Sequence, residues 1–373
     1  MTETFAPDFE RIAWRILHTV AGVKPGWNVT IRARPDAQPL VDALAVESYK
    51  SGAPAAPVVW SDDFLCRCIA EVPLEYLKAG LPHLGDLLRA SDLVIQLDLF
   101  PADPARVSAL PRERVAARRE GMAKLRDIVL DGSRRWIATE FPTPGQARTF
   151  GLDFKTFSGL FWRAIDIDYD ALKRTCDEVQ SILAGGHRVH ITSSKGTDLW
   201  LDYTGRPVFK DDGVIDDEDF TTGKPFCNLP AGEVCLAPVE EATRGRAVFD
   251  RAFWDGRWMR DVEVEFGPGG VVRPVRAAEG LEEFLAVIDN APGASRLLGE
   301  LGIGLNPAVD RDIGFVLVDE KYAGTVHLAL GENIHLGGKN KSPLHWDILI
   351  LKPTVVVGKT AIIRDGELQV GAR

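Results

Sequence analysis

Near the carboxyl end of the chain a histidine and an aspartate stand two residues apart in His345-Trp346-Asp347, eighteen residues after another histidine, His327. In an extended strand alternate side chains share a face, so His345 and Asp347 emerge together while Trp346 goes to the other side. An imidazole beside a carboxylate is a pair of metal ligands. A metal centre gathers such groups from several segments, because one segment rarely supplies more than two. Three more places offer them. Leu229-Pro230-Ala231-Gly232-Glu233 puts an acid where a turn enters a strand, Gly299-Glu300-Leu301-Gly302-Ile303-Gly304 puts one inside an apolar, glycine-rich strand, and His327 opens His327-Leu328-Ala329-Leu330-Gly331. Glu300 is the most telling, since an ionised carboxylate on such a strand is costly unless it is paired or bound to a cation. Singly, each has an ordinary explanation: a histidine satisfied by a carbonyl, a glutamate in an ion pair. Together, four short apolar segments built around metal-competent side chains point to one site.

The elements that must hold these residues change in style along the chain. Residues 1–22 read as an amphipathic helix. Strands are then expected at 27–34, 57–60, 93–99 and 135–140, alternating with helices at 40–50, 76–89 and 107–130. Such alternation implies parallel pairing with helices covering the sheet. A helix at 169–183 ends at Gly185-Gly186, a C-cap signal. From His187 on, short strands separated by turns follow one another, interrupted by one helix at 280–290. The fold class is therefore α/β: an amino-terminal domain with a mainly parallel sheet (residues 1–185), followed by a β-rich metal-binding domain (residues 186–373).

Composition narrows the function. The 373 residues carry 54 acids against 44 basic residues and a formal charge of −10, so the chain is a poor fit to nucleic acid, whose phosphates call for clustered Lys and Arg. No apolar run approaches the roughly 20 residues that span a bilayer, and the acid-containing start does not read as a secretory signal. The five cysteines, odd in number and irregularly spaced, fit reduced thiols in a cytoplasmic protein; Cys66-Arg67-Cys68 has the wrong spacing for a zinc knuckle. His187 and His190 face opposite ways on a strand. Gly358-Lys359-Thr360 lacks the first glycine of a phosphate loop, and there is no Gly-x-Ser-x-Gly elbow.

From about residue 10 to 370 the chain resembles the thermophilic metallo-aminopeptidase family. The resemblance rests on Thr139-Glu140-Phe141-Pro142-Thr143-Pro144, Gly196-Thr197-Asp198-Leu199, Asn228-Leu229-Pro230-Ala231-Gly232-Glu233-Val234, the strand around Glu300, Asp319-Glu320 ahead of His327-Leu328-Ala329-Leu330-Gly331, and His345-Trp346-Asp347. It implies a homodimer, an active site between the domains, and two divalent cations (zinc, cobalt or manganese) bound by Glu233, Glu300, His327, His345 and Asp347. It further implies Glu320 as a ligand or proton-transfer group, two residues further from His327 than in the family. The implied reaction is amide hydrolysis at the amino terminus of a small peptide by metal-activated water, with Glu300 or Glu320 bridging the metals or shuttling a proton. The family's catalytic tyrosine is Ile334 here with His335 beside it, so that its oxyanion donor is missing or replaced, with His335 as the candidate.

Residues 337–347 are also similar to the 2,5-dihydroxypyridine dioxygenases, which share this fold, bind one Fe(II) through two His and one Asp, and open an aromatic ring with dioxygen. Their first His stands where this chain has Glu300, and they lack a match to His327, which favours the hydrolase. The alternative stays open because His327, His345 and Asp347 would themselves make a two-His-one-carboxylate site acting on a small aromatic substrate. Lys339 and Lys341 would steer an anionic substrate in either case.

Overall fold

The computed structural model describes residues 6–291 and 293–371, which fall into two compact units: Met1–Asp166 with Gly213–Pro230, and Ile167–Asp212 with Ala231–Arg373. The first is the expected α/β layer. Its five strands lie in the order Ala55–Val59, Val29–Ala33, Leu93–Gln96, Arg135–Ala138, Phe226–Asn228, all parallel. Val29–Ala33 is buried along its whole length, as a central parallel strand covered on both faces should be.

Several elements differ from the sequence expectation. The opening helix is α-helical from Phe9 to Trp14 and widens to a π-helix over Arg15–Val20; residues 1–5 lie outside the described residues. The segment expected as one helix over 107–130 is two, Pro104–Ser108 and Arg112–Val129, separated at Pro111, which has no amide hydrogen to continue the ladder. Helices Pro144–Thr149 and Phe154–Ile165 were not anticipated; Thr143 and Asp153 cap them. The helix Tyr169–Ala184 belongs to the second unit. The excursion 213–230 returns to the first unit, where Phe226–Asn228 extends the parallel sheet, a strand of three residues that shows no periodicity.

The second unit is built on a long antiparallel sheet. Its centre runs Arg244–Trp254, His345–Ile350, Val326–Gly331, Leu298–Gly304, Glu233–Leu236, Val208–Asp211. The hairpin of Arg244–Trp254 with Arg257–Phe266 extends it, and Leu281–Asp289 packs against this region. Trp346, on the opposite face from His345 and Asp347, lies 5.0 Å from the Phe284 ring and 5.4 Å from Trp254, and its indole donates to the Phe253 carbonyl. That packing fixes which way the His-x-Asp pair points.

Candidate metal centre

Register brings the candidate ligands together. Glu300 pairs with Ala329 and Ala329 with Asp347; Gly302 pairs with His327; Gly304 pairs with Glu233, and Glu233 with Asp211; Gly331 pairs with His345. Paired residues share a face, and so do residues two apart along one strand. Glu233, Glu300, His327, His345 and Asp347 therefore all stand on one side of four adjacent strands of the second unit. The intervening small residues make room for them. A Cβ on Gly302 would come within 1.9 Å of His327 Nε2, so the imidazole lies across the glycine and reaches the carboxylates on either side.

The distances describe two linked clusters. His327 Nε2 lies 3.5 Å from Glu233 Oε2 and 3.6 Å from Glu300 Oε1; His345 Nε2 lies 3.0 Å from Glu300 Oε2 and 3.6 Å from Asp347 Oδ1. Glu300 thus turns one oxygen toward each imidazole. Both nitrogens of His327, Glu233 Oε2 and Asp347 Oδ1 are buried with no hydrogen-bond partner among the described residues. Ligands bound at about 2.1 Å around a tetrahedral cation are about 3.4 Å apart, so gaps of this size between unpartnered donors fit a divalent ion. Oxygen and imidazole donors suit zinc, cobalt or manganese and also Fe(II).

Three residues that the sequence reading missed, Lys321, Asp211 and Glu332, complete the surroundings. Lys321 is fully buried, its ammonium 2.6 Å from Glu233 Oε1, 2.9 Å from Glu320 Oε1 and 3.5 Å from Asp211 Oδ2. It thereby satisfies the outer oxygen of Glu233 while the inner one faces His327. Glu320, Glu233 and His327 form a group able to hold an ion, as do Glu300, His327 and Asp347. Glu332 is the third. Its backbone carbonyl is 2.7 Å from His345 Nδ1, its Oε2 is 2.7 Å from His335 Nδ1, and its Oε1 accepts from the Ile334 amide at 2.7 Å. A hydrogen on each Nδ1 leaves each Nε2 as the metal-facing or substrate-facing atom. His335 is half-exposed, its ring edge-on to His345 at 5.0 Å, and it groups with Glu300 and His345; Ile334 is exposed beside it.

The electrostatics follow from packing acids and imidazoles together. Burial would raise Glu300, but the nearby imidazoles of His327 and His345, the latter within hydrogen-bond distance, hold it well below the usual carboxylate range. Burial would lower His327, but Glu300, Glu233 and Asp347 push it up to about 9; His345 is raised well above its ordinary value against the same burial, by Asp347 and Glu300. Burial raises Glu320 to about 8, helped by the charges of Glu233 and Asp347 and opposed by Lys321. Lys339 and Lys341 are exposed, with no described role in the centre.

With this geometry in view, the class is a metalloenzyme of two-unit α/β and antiparallel-β architecture, and comparison with known proteins specifies it. The chain matches the profile of the thermophilic metalloprotease (M29) family over residues 5–370 and belongs to that family. It is 26% identical to aminopeptidase T of Thermus thermophilus over 390 residues, covering 93% of both chains. The solved structure of wild-type AmpT from the same organism has the same fold, with a TM-score of 0.80 at 22% identity over 97% of this chain and 99% of that one. The 2,5-dihydroxypyridine dioxygenase of Pseudomonas putida is a more distant structural neighbour, with a TM-score of 0.64 at 15% identity and 96% coverage of each. The resemblance and the fold class read from the sequence are borne out. Among the described residues no helix is long and apolar enough to cross a membrane.

Proposed function

We propose that the protein is a metal-dependent hydrolase of aminopeptidase type, removing residues from the amino terminus of small peptides. The observation that carries this reading is the convergence of Glu233, Glu300, His327, His345 and Asp347 on one sheet face, with Glu300 shared between two imidazoles. Divalent cations held there would lower the pKa of a coordinated water toward neutrality and polarise the scissile carbonyl.

The chain's own residues divide the remaining work. Glu233, Glu300, His327, His345 and Asp347 would hold the cations, Glu300 turning one oxygen toward each imidazole. Glu320, 2.9 Å from the Lys321 ammonium, would in its carboxylate form take a proton from the attacking water and return it to the leaving amine. His335, its Nδ1 held by Glu332, would as an imidazolium donate a hydrogen bond from Nε2 to the oxyanion as the carbonyl carbon becomes tetrahedral. A homodimer, which rests on the family resemblance, and a cytoplasmic location, which rests on the irregularly spaced cysteines, belong to the same proposal.

The test is metal content together with two assays, hydrolysis of aminoacyl-nitroanilides and oxygen uptake with 2,5-dihydroxypyridine under Fe(II). Two divalent ions per chain and amide cleavage are expected. Turnover supported by Fe(II) alone with oxygen consumed would instead establish the ring-cleaving reading, for which Glu300, His335 and His345 offer a second two-His-one-carboxylate set. Glu300→Ala is expected to lose metal and keep the fold; unchanged metal content would remove Glu300 from the centre.

A further inference from the structure

Within the first unit, the carboxyl ends of the parallel strands hold a positive charge that the protein does not balance. Val29–Ala33 lies between Ala55–Val59 and Leu93–Gln96, so the chain leaves this first strand toward one side and then crosses to the other. In open parallel sheets the crevice at such a reversal, beyond the carboxyl ends of the strands, is where ligands bind. Arg32 is the penultimate residue of Val29–Ala33 and pairs in register with Gln96; Asp98 lies two residues further on. Arg32 Nη2 donates to Asp98 Oδ2 at 3.3 Å, and its guanidinium lies 5.3 Å from the centre of the Trp60 ring. Trp60 Nε1 donates to the same Oδ2 at 2.8 Å. Nearby, Arg34 is engaged with Glu140 and with the carbonyls of Phe100 and Phe141.

A third guanidinium enters this group from the helix Arg112–Val129. Arg118 is half-buried and interacts electrostatically with Arg32, Asp98 and Cys68. Burial first, and then the like charge of Arg32, hold its pKa below the ordinary arginine value. One turn earlier on the same helix Arg114 delivers its guanidinium to the carbonyls of Ile69 and Val72. Arg118 has no such outlet: among the described residues it makes neither a hydrogen bond nor an ion pair. The Nε of Arg118, the Nε of Arg32 and Oδ1 of Asp98 are all buried without a partner. Two donors on cations and one acceptor on an acid are thus left over at the reversal point. Leaving a guanidinium unpaired in such a place costs stability, a cost that an anion bound there offsets.

We propose that this crevice binds a small oxyanion that also carries a hydrogen-bond donor, the oxyanion taken by Arg118 and Arg32 and the donor by Asp98. A free amino acid and hydrogen phosphate are the simplest molecules with that chemistry, and sulfate, which lacks the donor at neutral pH, is the control. Arg32, Asp98 and Arg118 belong to the first unit, and all residues of the metal centre to the second.

The experiment is calorimetric titration and thermal unfolding of the full-length protein with glycine, hydrogen phosphate and sulfate, repeated on Arg118→Met and Arg118→Lys. Glycine or hydrogen phosphate is expected to bind and raise Tm, with sulfate weaker. Arg118→Met should bind at least about tenfold less tightly and Arg118→Lys should fall between, because a lysine keeps the charge and loses the planar fork. Metal content and peptide hydrolysis should be unchanged in both variants, which shows that they fold. Failure of all three probes to bind the wild type, or equal binding by Arg118→Met, overturns the site. Sulfate binding as tightly as the other two overturns the role of Asp98.

Discussion

Lys321 Nζ stands 2.6 Å from Glu233 Oε1, so one carboxylate is divided between a buried ammonium on its outer oxygen and the imidazole of His327 on its inner one. The lysine therefore aims a candidate ligand. Lys321→Met leaves Glu233 and Glu320 without their cation and lets Glu233 rotate. Metal affinity is expected to fall about 10- to 100-fold, the usual effect of removing a group that orients a ligand. Metal titration by calorimetry checks this; an affinity equal to wild type would reduce Lys321 to a structural ion pair.

Protons and metal compete for the same atoms. His327, at about 9 in chelator-treated protein, is an imidazolium at pH 7 and must lose its proton to become a ligand, as must His345. Apparent metal affinity should therefore rise with pH, by at least about tenfold per unit below pH 9, with proton release on binding. Titration in buffers of different ionisation enthalpy measures the released protons, and a release near zero at pH 7 contradicts this account. The sign for folding is the opposite. A His raised from 6.5 to about 9 stabilises the metal-free fold fully below about pH 6.5 and progressively less as pH climbs toward 9. Thermal unfolding of the chelated protein should show that decline, and the metal-loaded protein should not.

Gly302 is required by the imidazole that lies over it. Gly302→Ala puts a methyl 1.9 Å from His327 Nε2 and forces the ring out of line with Glu233 and Glu300. The expected result is loss of metal with the circular dichroism of the sheet retained. An alanine variant that binds metal normally would show that the ring has another place to go.

His335 and the ligands should separate in their effects. His335→Ala is expected to keep the metal and to lower kcat by about 10²–10³-fold with little change in KM, because the oxyanion donor acts only in the transition state. Glu332→Gln should give a milder version, since the backbone carbonyl that fixes His345 is untouched. Parallel loss of metal and kcat in His335→Ala would make His335 a ligand instead.

How much of this was written in the sequence depends on the residue. The cluster of candidate ligands was legible because each member breaks an apolar strand, where a charged or polar side chain needs a reason; Glu300 between Gly299 and Leu301 is the clearest case. Lys321 was not, because a lysine next to a glutamate in a loop reads as solvated, and nothing local reports that Asp211, 110 residues earlier, pairs with Glu233 across the sheet. Glu332 was hidden for a related reason: one of its three contacts is through its backbone carbonyl, which carries no sequence signature. In the fold, the parallel strands announced themselves by alternation with helices, whereas Phe226–Asn228 was too short to show a period and lay among β-rich segments that belong elsewhere.

The path of the chain has a practical corollary for anyone dissecting this protein. It passes from one unit to the other at 166/167, 212/213 and 230/231, and Glu233 follows the last crossing by only two residues. No single cleavage point in the gene yields either half intact: a fragment starting at 186 loses the helix Tyr169–Ala184 from its own unit and carries away Phe226–Asn228 from the other. Isolating the metal-bearing half calls for a recombinant that begins at Ile167 and joins Asp212 to Ala231 through a short designed linker.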